Sequence, residues 1–210
     1  MLEEDGLLTI HLVRHGETLP TREHRLCGQS DCALSEHGRR QSEAVVETCA
    51  AGDDWRAVYT SPLSRCRSMA EAVAERLRIP LFVENDLLEI DHGEWDGRLE
   101  LKIKESEPEA YGHYCDHPGI FAAPGGENGF QVAARALPAI ERIRGAHPAG
   151  EVLVVSHEAT IRIIVCALLG IEVDLYRARL ALPVASFTTV VFRSSGPLLR
   201  RFGDAVDETA

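Results

Sequence analysis

The segment Leu12-Val13-Arg14-His15-Gly16-Glu17-Thr18 places a guanidinium and an imidazole side by side close to the N-terminus. The residues before this pair, 7–13, are aliphatic and β-branched, which is typical of a buried strand, and Gly16 is suited to end one. Ligands of open α/β sheets bind outside the carboxyl ends of the strands. The pattern therefore favours His15 as a nucleophile that accepts phosphate. The alternative is an Arg-His pair on a solvated strand edge.

Two later segments offer groups of the same kind. The apolar run 151–156 is typical of a central parallel strand and ends at His157, and Arg65 lies at the start of a helix opened by Ser61-Pro62. Two guanidiniums and two imidazoles around one point suit phosphoryl transfer, in which fixed donors stabilise charge on three oxygens. This chemistry requires no Mg²⁺.

The pattern along the chain alternates strands with helices. Helices are predicted from Ser35 to about Gly52, from Pro62 near position N1 to about Arg78, from Asn128 to about His147, and over 159–169; strands are predicted at 57–60, 81–83, 151–156, 186–192 and 198–202. We therefore expect an α/β three-layer sandwich with a mostly parallel central sheet and helices on both faces. A single domain is expected over 1–210, with a cap-like insertion at about 84–128, a short helix within it at 99–105, and a disordered tail at 204–210.

The composition excludes several classes of function. The chain has 210 residues, 45% hydrophobic and 26% charged, and its net charge of −11 opposes binding to nucleic acid. The longest apolar run, 163–171, is too short to span a membrane, and the acidic residues 3–5 do not resemble an export signal. We expect a cytoplasmic protein without a nucleic-acid or membrane partner. Its six cysteines, which form no CxxC pair, are expected to be reduced thiols.

Residues 14–18 resemble the RHGE[ST] signature of the histidine phosphatase superfamily, which includes the cofactor-dependent phosphoglycerate mutases. Four further segments resemble family motifs in the same order: 34–41 (LTxxGxxQA), 61–66 (SxLxRA), 88–97 (LxExxxGxWEG) and 155–157 (VSH). The likeness runs from about residue 8 to residue 192. It implies the phosphoglycerate mutase-like fold.

The resemblance also implies a role for each matching residue. His15 would attack phosphorus and become phosphohistidine, while Arg14, Arg65 and His157 would hold the phosphoryl oxygens. Glu89 would act as general acid and base, and its apolar neighbours would favour the protonated acid that a leaving alkoxide needs. The reaction implied needs no cofactor and no metal ion.

The first loop supplies three predicted substrate contacts. Thr21 stands where the family often has asparagine, and a threonine can still donate one hydrogen bond to phosphate. Gly28 and Gln29 are the other two contacts predicted in this loop.

The cap distinguishes a phosphatase from a mutase. Mutases follow the catalytic acid with an arginine and carry further cap arginines, but here Ile90 follows Glu89 and no arginine lies between Arg98 and Arg135. A second anionic group would meet only the lysines and histidines at 102, 104, 113 and 117. We therefore expect hydrolysis of a small phosphorylated metabolite. A phosphoglycerate mutase, and a non-catalytic protein that binds phosphorylated ligands, remain the alternatives.

Two further features of the cap bear on ligands. Its aromatic residues at 95, 111, 114 and 121 suit a less charged, partly apolar substrate, although such residues also serve in packing. The segment His113-Tyr114-Cys115-Asp116-His117 could bind a divalent metal if it were helical, but a solvated loop is the interpretation we favour. The oligomeric state stays open, with a homodimer as one possibility.

Overall fold

The computed structural model describes residues 6–52 and 54–206. The acidic N-terminus and the last four residues of the expected disordered tail lie outside these ranges. The elements are, in chain order, β1 (Leu8–Arg14), α1 (Leu19–Arg22), α2 (Glu36–Ala50), β2 (Trp55–Thr60), α3 (Ser64–Leu77), β3 (Leu81–Val83), α4 (Glu100–Ser106), α5 (Pro108–Asp116), α6 (Gly129–Ala146), β4 (Gly150–Ser156), α7 (Glu158–Leu169), α8 (Tyr176–Arg179), β5 (Ser186–Arg193) and β6 (Gly196–Ala205).

The strands of the described chain form one mixed sheet in the order β3-β2-β4-β1-β5-β6. The pairs β1 with β4, β2 with β4 and β2 with β3 are parallel, whereas β5 is antiparallel to both β1 and β6. Five strands therefore point the same way, and the predicted mostly parallel sheet is confirmed. The carboxyl ends of β1, β2 and β4 meet at one edge.

Helices cover both faces of this sheet. Alternate residues of β1 and β4, such as Leu12 and Val154, pack with α6 and α7 in one buried cluster. Val13 and Val155 point to the other face and pack with α2 and α3. Burial on both faces explains why β4 reads as a continuous apolar run, and it confirms the three-layer sandwich.

The helix starts follow the sequence signals, with one exception. The Ser35 hydroxyl accepts a hydrogen bond from the Gly38 N–H, and Asn128 forms a capping box with Gln131. The prediction for Pro62 is wrong, because α3 begins at Ser64 after Leu63, whose side chain makes no capping bond. Arg65 therefore lies in the first turn of α3, one residue after its start.

The segment 84–128 contains α4, α5 and two short 3₁₀ turns. The predicted short helix at 99–105 corresponds to α4. The expected disorder of the tail is wrong for its first two residues, because Asp204 and Ala205 belong to β6 and pair with Phe187 and Ser186. No helix in the described ranges is both long and apolar enough to cross a membrane.

Candidate active site

The nucleophile expected from the sequence lies at the sheet edge where three strands end. The backbone N–H of His15, directly after β1, donates to the Ser156 carbonyl at 3.1 Å, and the N–H of Ser61, after β2, donates to the Val155 carbonyl at 3.1 Å. His157 follows β4, and its ring centroid lies 5.2 Å from that of His15. Sheet register therefore fixes the spacing of the two imidazoles.

A hydrogen bond within the described chain fixes the position of one ring hydrogen of His15. Its Nδ1 lies 2.7 Å from the Gly16 carbonyl oxygen, which can only accept. The hydrogen therefore sits on Nδ1, and Nε2 keeps its lone pair. Burial, and after it the guanidiniums of Arg65 and Arg14, hold the pKa of His15 well below its usual value, so the ring is neutral.

The second sequence motif holds the signature loop in place. Gln41 accepts a hydrogen bond from the Glu17 N–H at 2.8 Å, and Ser35 donates to the Glu17 carboxylate at 2.7 Å. Gly38 packs so closely that an added Cβ would lie 2.0 Å from the Glu17 carbonyl oxygen. The residues Ser35, Gly38 and Gln41 thus act as a support for the loop that follows His15.

Arg65 is buried and held from several sides. Its Nε donates to Nδ1 of His157 at 3.2 Å, and its two terminal nitrogens donate to the carbonyls of Gly28 at 2.6 Å and Ser30 at 3.1 Å. Since His157 accepts at Nδ1, its hydrogen lies on Nε2, which donates to the Ser61 hydroxyl at 2.7 Å. Burial, followed by Arg65 and His15, holds the pKa of His157 well below its usual value.

Arg14 is anchored on the opposite side of His15. One terminal nitrogen donates to the Leu182 carbonyl at 2.5 Å, and the other lies 2.6 Å from the Glu158 carboxylate. Among the described residues, the buried Nε of Arg14 has no hydrogen-bond partner. A guanidinium N–H is thus left to donate to an anion next to His15.

The carboxylate of Glu89 lies at the N-terminus of α7. It accepts from the backbone N–H groups of Ile90 at 3.0 Å, Thr160 at 3.2 Å and Ala159 at 3.3 Å. The carboxylate thus accepts from two amides at the start of α7 that would otherwise lack partners. Glu89 is buried, as expected, but its oxygens meet polar donors rather than only apolar side chains.

Arg14, His15 and Glu89 line a cavity of about 490 Å³. Its other charged side chains come from the first loop, from α4 and from the last helices. They are Arg25, Glu100, Glu158, Arg162 and Arg177. The sequence argument that a second anion would meet few cations is therefore incomplete, because it considered only the cap.

A family model described as the histidine phosphatase superfamily (branch 1) matches residues 10–205. The chain belongs to this superfamily. Phosphoserine phosphatase 1 of Hydrogenobacter thermophilus is 32% identical over 168 residues, which cover 80% of this chain and 79% of that protein. The metal-independent phosphoserine phosphatase of Arabidopsis thaliana is 34% identical over 163 residues, which cover 77% and 68%. The solved structure of Bacillus stearothermophilus YhfR matches with a TM-score of 0.88 at 28% identity, covering 97% of this chain and all of that one.

As a histidine phosphatase, the protein is a phosphoric monoester hydrolase with the phosphoglycerate mutase-like fold. Arg14, His15 and Glu89 line the cavity, and the ring of His157, which accepts a hydrogen bond from Arg65, lies next to that of His15 at the same sheet edge. The five residues named from the ordered motifs are thus neighbours, although Arg65 and His157 are not part of the cavity wall. Their individual roles are taken up below.

The three substrate contacts predicted in the first loop differ in their surroundings. Thr21 lines the cavity, and its hydroxyl lies 2.8 Å from that of Thr18. The N–H of Gly28 donates to Asp96, and Gln29 donates to the Glu89 carbonyl at 3.2 Å. The backbone of Gly28 and the side chain of Gln29 thus make contacts inside the protein.

Two features of the cap also differ from expectation. Trp95 is fully buried and packs with Tyr114 and Phe121, so it belongs to a small core, and of the four aromatic residues Tyr114 is the one in the cavity wall. The solvated loop favoured for 113–117 is wrong, because residues 113–116 belong to α5; His117 follows this helix and lies 3.2 Å from the Asp174 carboxylate. In the described ranges, no group of three or more His, Cys, Asp and Glu side chains is arranged to hold a metal ion.

The sequence interpretation missed Glu158, Arg162 and Arg177. Glu158 pairs with both Arg14 and Arg162, and Arg177 stacks over the Tyr114 ring with its Cζ 4.1 Å from the centroid. The first two lie one and five positions after His157 on α7, so helical spacing could have pointed to them. Arg177 lies on a four-residue helix that the sequence pattern did not reveal.

Proposed function

We propose that this phosphatase hydrolyses a small phosphomonoester bearing an ammonium and a carboxylate group, with phosphoserine as the first candidate, through a phosphohistidine on His15. The observation that carries the mechanism is the contact of 2.7 Å between His15 Nδ1 and the Gly16 carbonyl oxygen, which leaves Nε2 as the ring nitrogen that attacks. In the first step, Nε2 forms a bond to phosphorus and the ester P–O bond breaks. Fixed guanidiniums then stabilise charge on the phosphoryl oxygens.

Arg14 and Arg65 bind those oxygens, and His157 positions Arg65. Arg14 lines the cavity and has an Nε–H without a partner among the described residues, and both terminal nitrogens of Arg65 are fixed by the loop carbonyls of Gly28 and Ser30. Both ring nitrogens of His157 are engaged by Arg65 and Ser61, so we assign His157 to the positioning of Arg65. This assignment differs from the direct phosphate contact that the family resemblance implies.

Glu89 serves as the acid and then as the base. In its protonated form it gives a proton to the leaving alkoxide, and the resulting carboxylate is stabilised by the three backbone N–H groups around it. It then takes a proton from the water that attacks phosphorus, the P–N bond breaks, and His15 returns to its neutral form. The two steps together consume one water and need no metal ion.

The charges in the cavity support an amino acid phosphate as substrate. Glu100 and Arg177 lie 3.5 Å apart in its wall, with their charged groups side by side. An amino acid carries its ammonium and carboxylate on one carbon, so each can face the opposite charge of this pair. The names of the two phosphoserine phosphatase relatives agree with this proposal.

A substrate panel tests the reaction. Wild type and His15→Ala are compared on phosphoserine, phosphothreonine, sugar phosphates and 3-phosphoglycerate, and acid-labile phosphate on the protein is sought after rapid quenching. We expect turnover and labile phosphate only with His15 present. Equal, slow hydrolysis by both proteins would favour the alternative of a non-catalytic binding protein. Efficient interconversion of phosphoglycerates with a bisphosphate primer would favour the mutase.

Two variants test the substrate class. Glu100→Gln and Arg177→Met should each raise KM for phosphoserine by about tenfold to a hundredfold, the size of one lost hydrogen bond to a charged group, and leave KM for phenyl phosphate unchanged. Lys102→Gln is the matched control, because this exposed lysine pairs with Glu105 on α4. Equal effects on both substrates would contradict the assignment of the Glu100 and Arg177 pair.

A further inference from the structure

Two cysteines of the first loop lie close to each other and to Arg65. The proposed phosphatase reaction uses neither of them. Cys27 and Cys32 are five residues apart, and their sulfur atoms are separated by 3.2 Å. Both side chains are half-buried free thiols, and Cys27 lines the active-site cavity. We infer that this pair is an oxidation site, which hydrogen peroxide converts to a disulfide, and that the disulfide lowers the phosphatase activity.

The geometry needs little movement to form the bond. A disulfide joins its sulfur atoms at about 2.05 Å, so the two side chains must approach by roughly 1 Å. The intervening loop contains Gly28 and is held by Asp96, whose carboxylate accepts from the N–H groups of Gly28 and Ser30. Peroxide can reach both sulfurs, because Cys27 is part of the cavity wall and Cys32 is only half-buried.

The two sulfurs have different roles in the reaction. A hydrogen bond from Cys27, and the nearby Arg65 whose Nη1 lies 3.7 Å away, outweigh burial and lower the pKa of Cys32 to about 6. The same hydrogen bond and burial raise the pKa of Cys27. The Cys32 sulfur, which lies beside the Arg65 guanidinium, is therefore the better nucleophile of the two, and Cys27 is the thiol that resolves the oxidised form.

The reaction then proceeds in two balanced steps. The Cys32 thiolate attacks one peroxide oxygen, the O–O bond breaks, and the departing hydroxide takes a proton to leave as water, which gives a sulfenic acid on Cys32. Cys27 loses its proton and attacks the Cys32 sulfur, the S–O bond breaks, and a second water leaves. Two thiols are oxidised to one disulfide, and one peroxide is reduced to two waters.

The disulfide affects catalysis through Arg65. The carbonyls of Gly28 and Ser30, which accept from the Arg65 guanidinium, both lie between the two cysteines. Contraction of this loop moves those carbonyls, and oxidation removes the Cys32 thiolate charge that faces Nη1. A displacement of about 1 Å at a positioning group can reduce a rate by about a hundredfold.

The other cysteines lack these features. Cys49, Cys66 and Cys166 are buried, and burial raises the pKa of all three, which keeps them as unreactive thiols. Cys66 lies 3.5 Å from His157 but has no access from solvent. Cys115, on α5, is half-buried and serves as a matched control for peroxide damage at an accessible thiol.

The experiment treats wild type, Cys27→Ser, Cys32→Ser and Cys115→Ser with hydrogen peroxide, and then with dithiothreitol. Free thiols are titrated, disulfides are located by peptide mapping, and activity is expressed relative to the same untreated variant. In wild type and Cys115→Ser we expect loss of two thiols, a Cys27–Cys32 linked peptide, and an activity loss of at least about tenfold that dithiothreitol reverses. Cys27→Ser and Cys32→Ser should show neither the linked peptide nor the reversible loss.

Three outcomes would overturn the inference. These are the absence of the linked peptide from oxidised wild type, full activity of the disulfide form, and an equal reversible loss in the two serine variants of the pair. Peptide mapping and thiol titration need no turnover. A protein that forms the disulfide but hydrolyses no phosphomonoester before treatment would thus refute the proposed function and not the oxidation site.

Discussion

Substitution of the buried histidines should change how the stability of the protein depends on pH. His15 and His157 are both buried, with pKa values held well below the usual value. In the unfolded chain each imidazole has a pKa of about 6.5 and binds a proton below that pH. The unfolded state then carries more protons than the folded state, so the free energy of unfolding decreases as pH falls below about 6.5.

The size of the effect follows from the number of protons. Each buried neutral histidine contributes a slope approaching about 1.4 kcal/mol per pH unit below its unfolded pKa. Between pH 8 and pH 5 this amounts to about 2 kcal/mol for one histidine and about 4 kcal/mol for both. Carboxylates add to the slope at lower pH, but they are common to wild type and variants and cancel in the difference.

Urea unfolding of wild type, His15→Asn, His157→Asn and the double variant, at pH values from 8 to 5, measures these slopes. Asparagine suits the test because its side-chain amide can occupy the position of Nδ1, where it can donate to Gly16 or accept from Arg65. We expect each single variant to lose about 2 kcal/mol of the pH-dependent change, and the double variant about twice that. A slope in His15→Asn equal to that of wild type would show that His15 takes up a proton in the folded protein, and would refute its assignment as a neutral nucleophile.

Three further substitutions test the contacts of the site and its supports. Arg65→Lys should lower kcat/KM by about a hundredfold to a thousandfold, because lysine cannot bind two loop carbonyls and the imidazole at once, and a change below threefold in steady-state kinetics would contradict this. Gly38→Ala should cost about 1–3 kcal/mol of unfolding free energy in urea, since its Cβ would lie 2.0 Å from the Glu17 carbonyl oxygen. Asn128→Ala should cost about 1 kcal/mol through loss of the capping box of α6, with activity retained; an unchanged urea midpoint would argue against that cap.

The strand ends could be predicted because buried strands have a simple signature. Hydrophobic runs before His15 and His157 are buried on both faces of the sheet, and parallel neighbours bring their carboxyl ends together. The N-caps of α2 and α6 could also be predicted, because serine and asparagine side chains accept hydrogen bonds from the free amides at helix starts. These local signals placed His15 and His157 next to each other at the sheet edge, as the structure shows.

The substrate end of the cavity could not be predicted in the same way. Arg177 lies on a helix of four residues, too short to show a periodic pattern, and it meets Glu100 from a segment 77 residues earlier. The proximity of Cys27 and Cys32 depends on a loop with little regular structure, so the absence of a CxxC pair did not reveal it. Such contacts depend on packing between segments that are far apart in the sequence. A local pattern of residues does not predict them.

The central place of β1 in the sheet has a consequence for the lifetime of the catalytic centre. The His15 amide is hydrogen-bonded to Ser156 at the end of a strand flanked on both sides by β4 and β5. Such an amide exchanges its hydrogen with solvent only when the core itself opens, whereas amides in 19–33 can exchange through local opening. The backbone at His15 therefore stays in place as long as the protein is folded, whereas local opening of the first loop would displace the Gly28 and Ser30 carbonyls that hold Arg65.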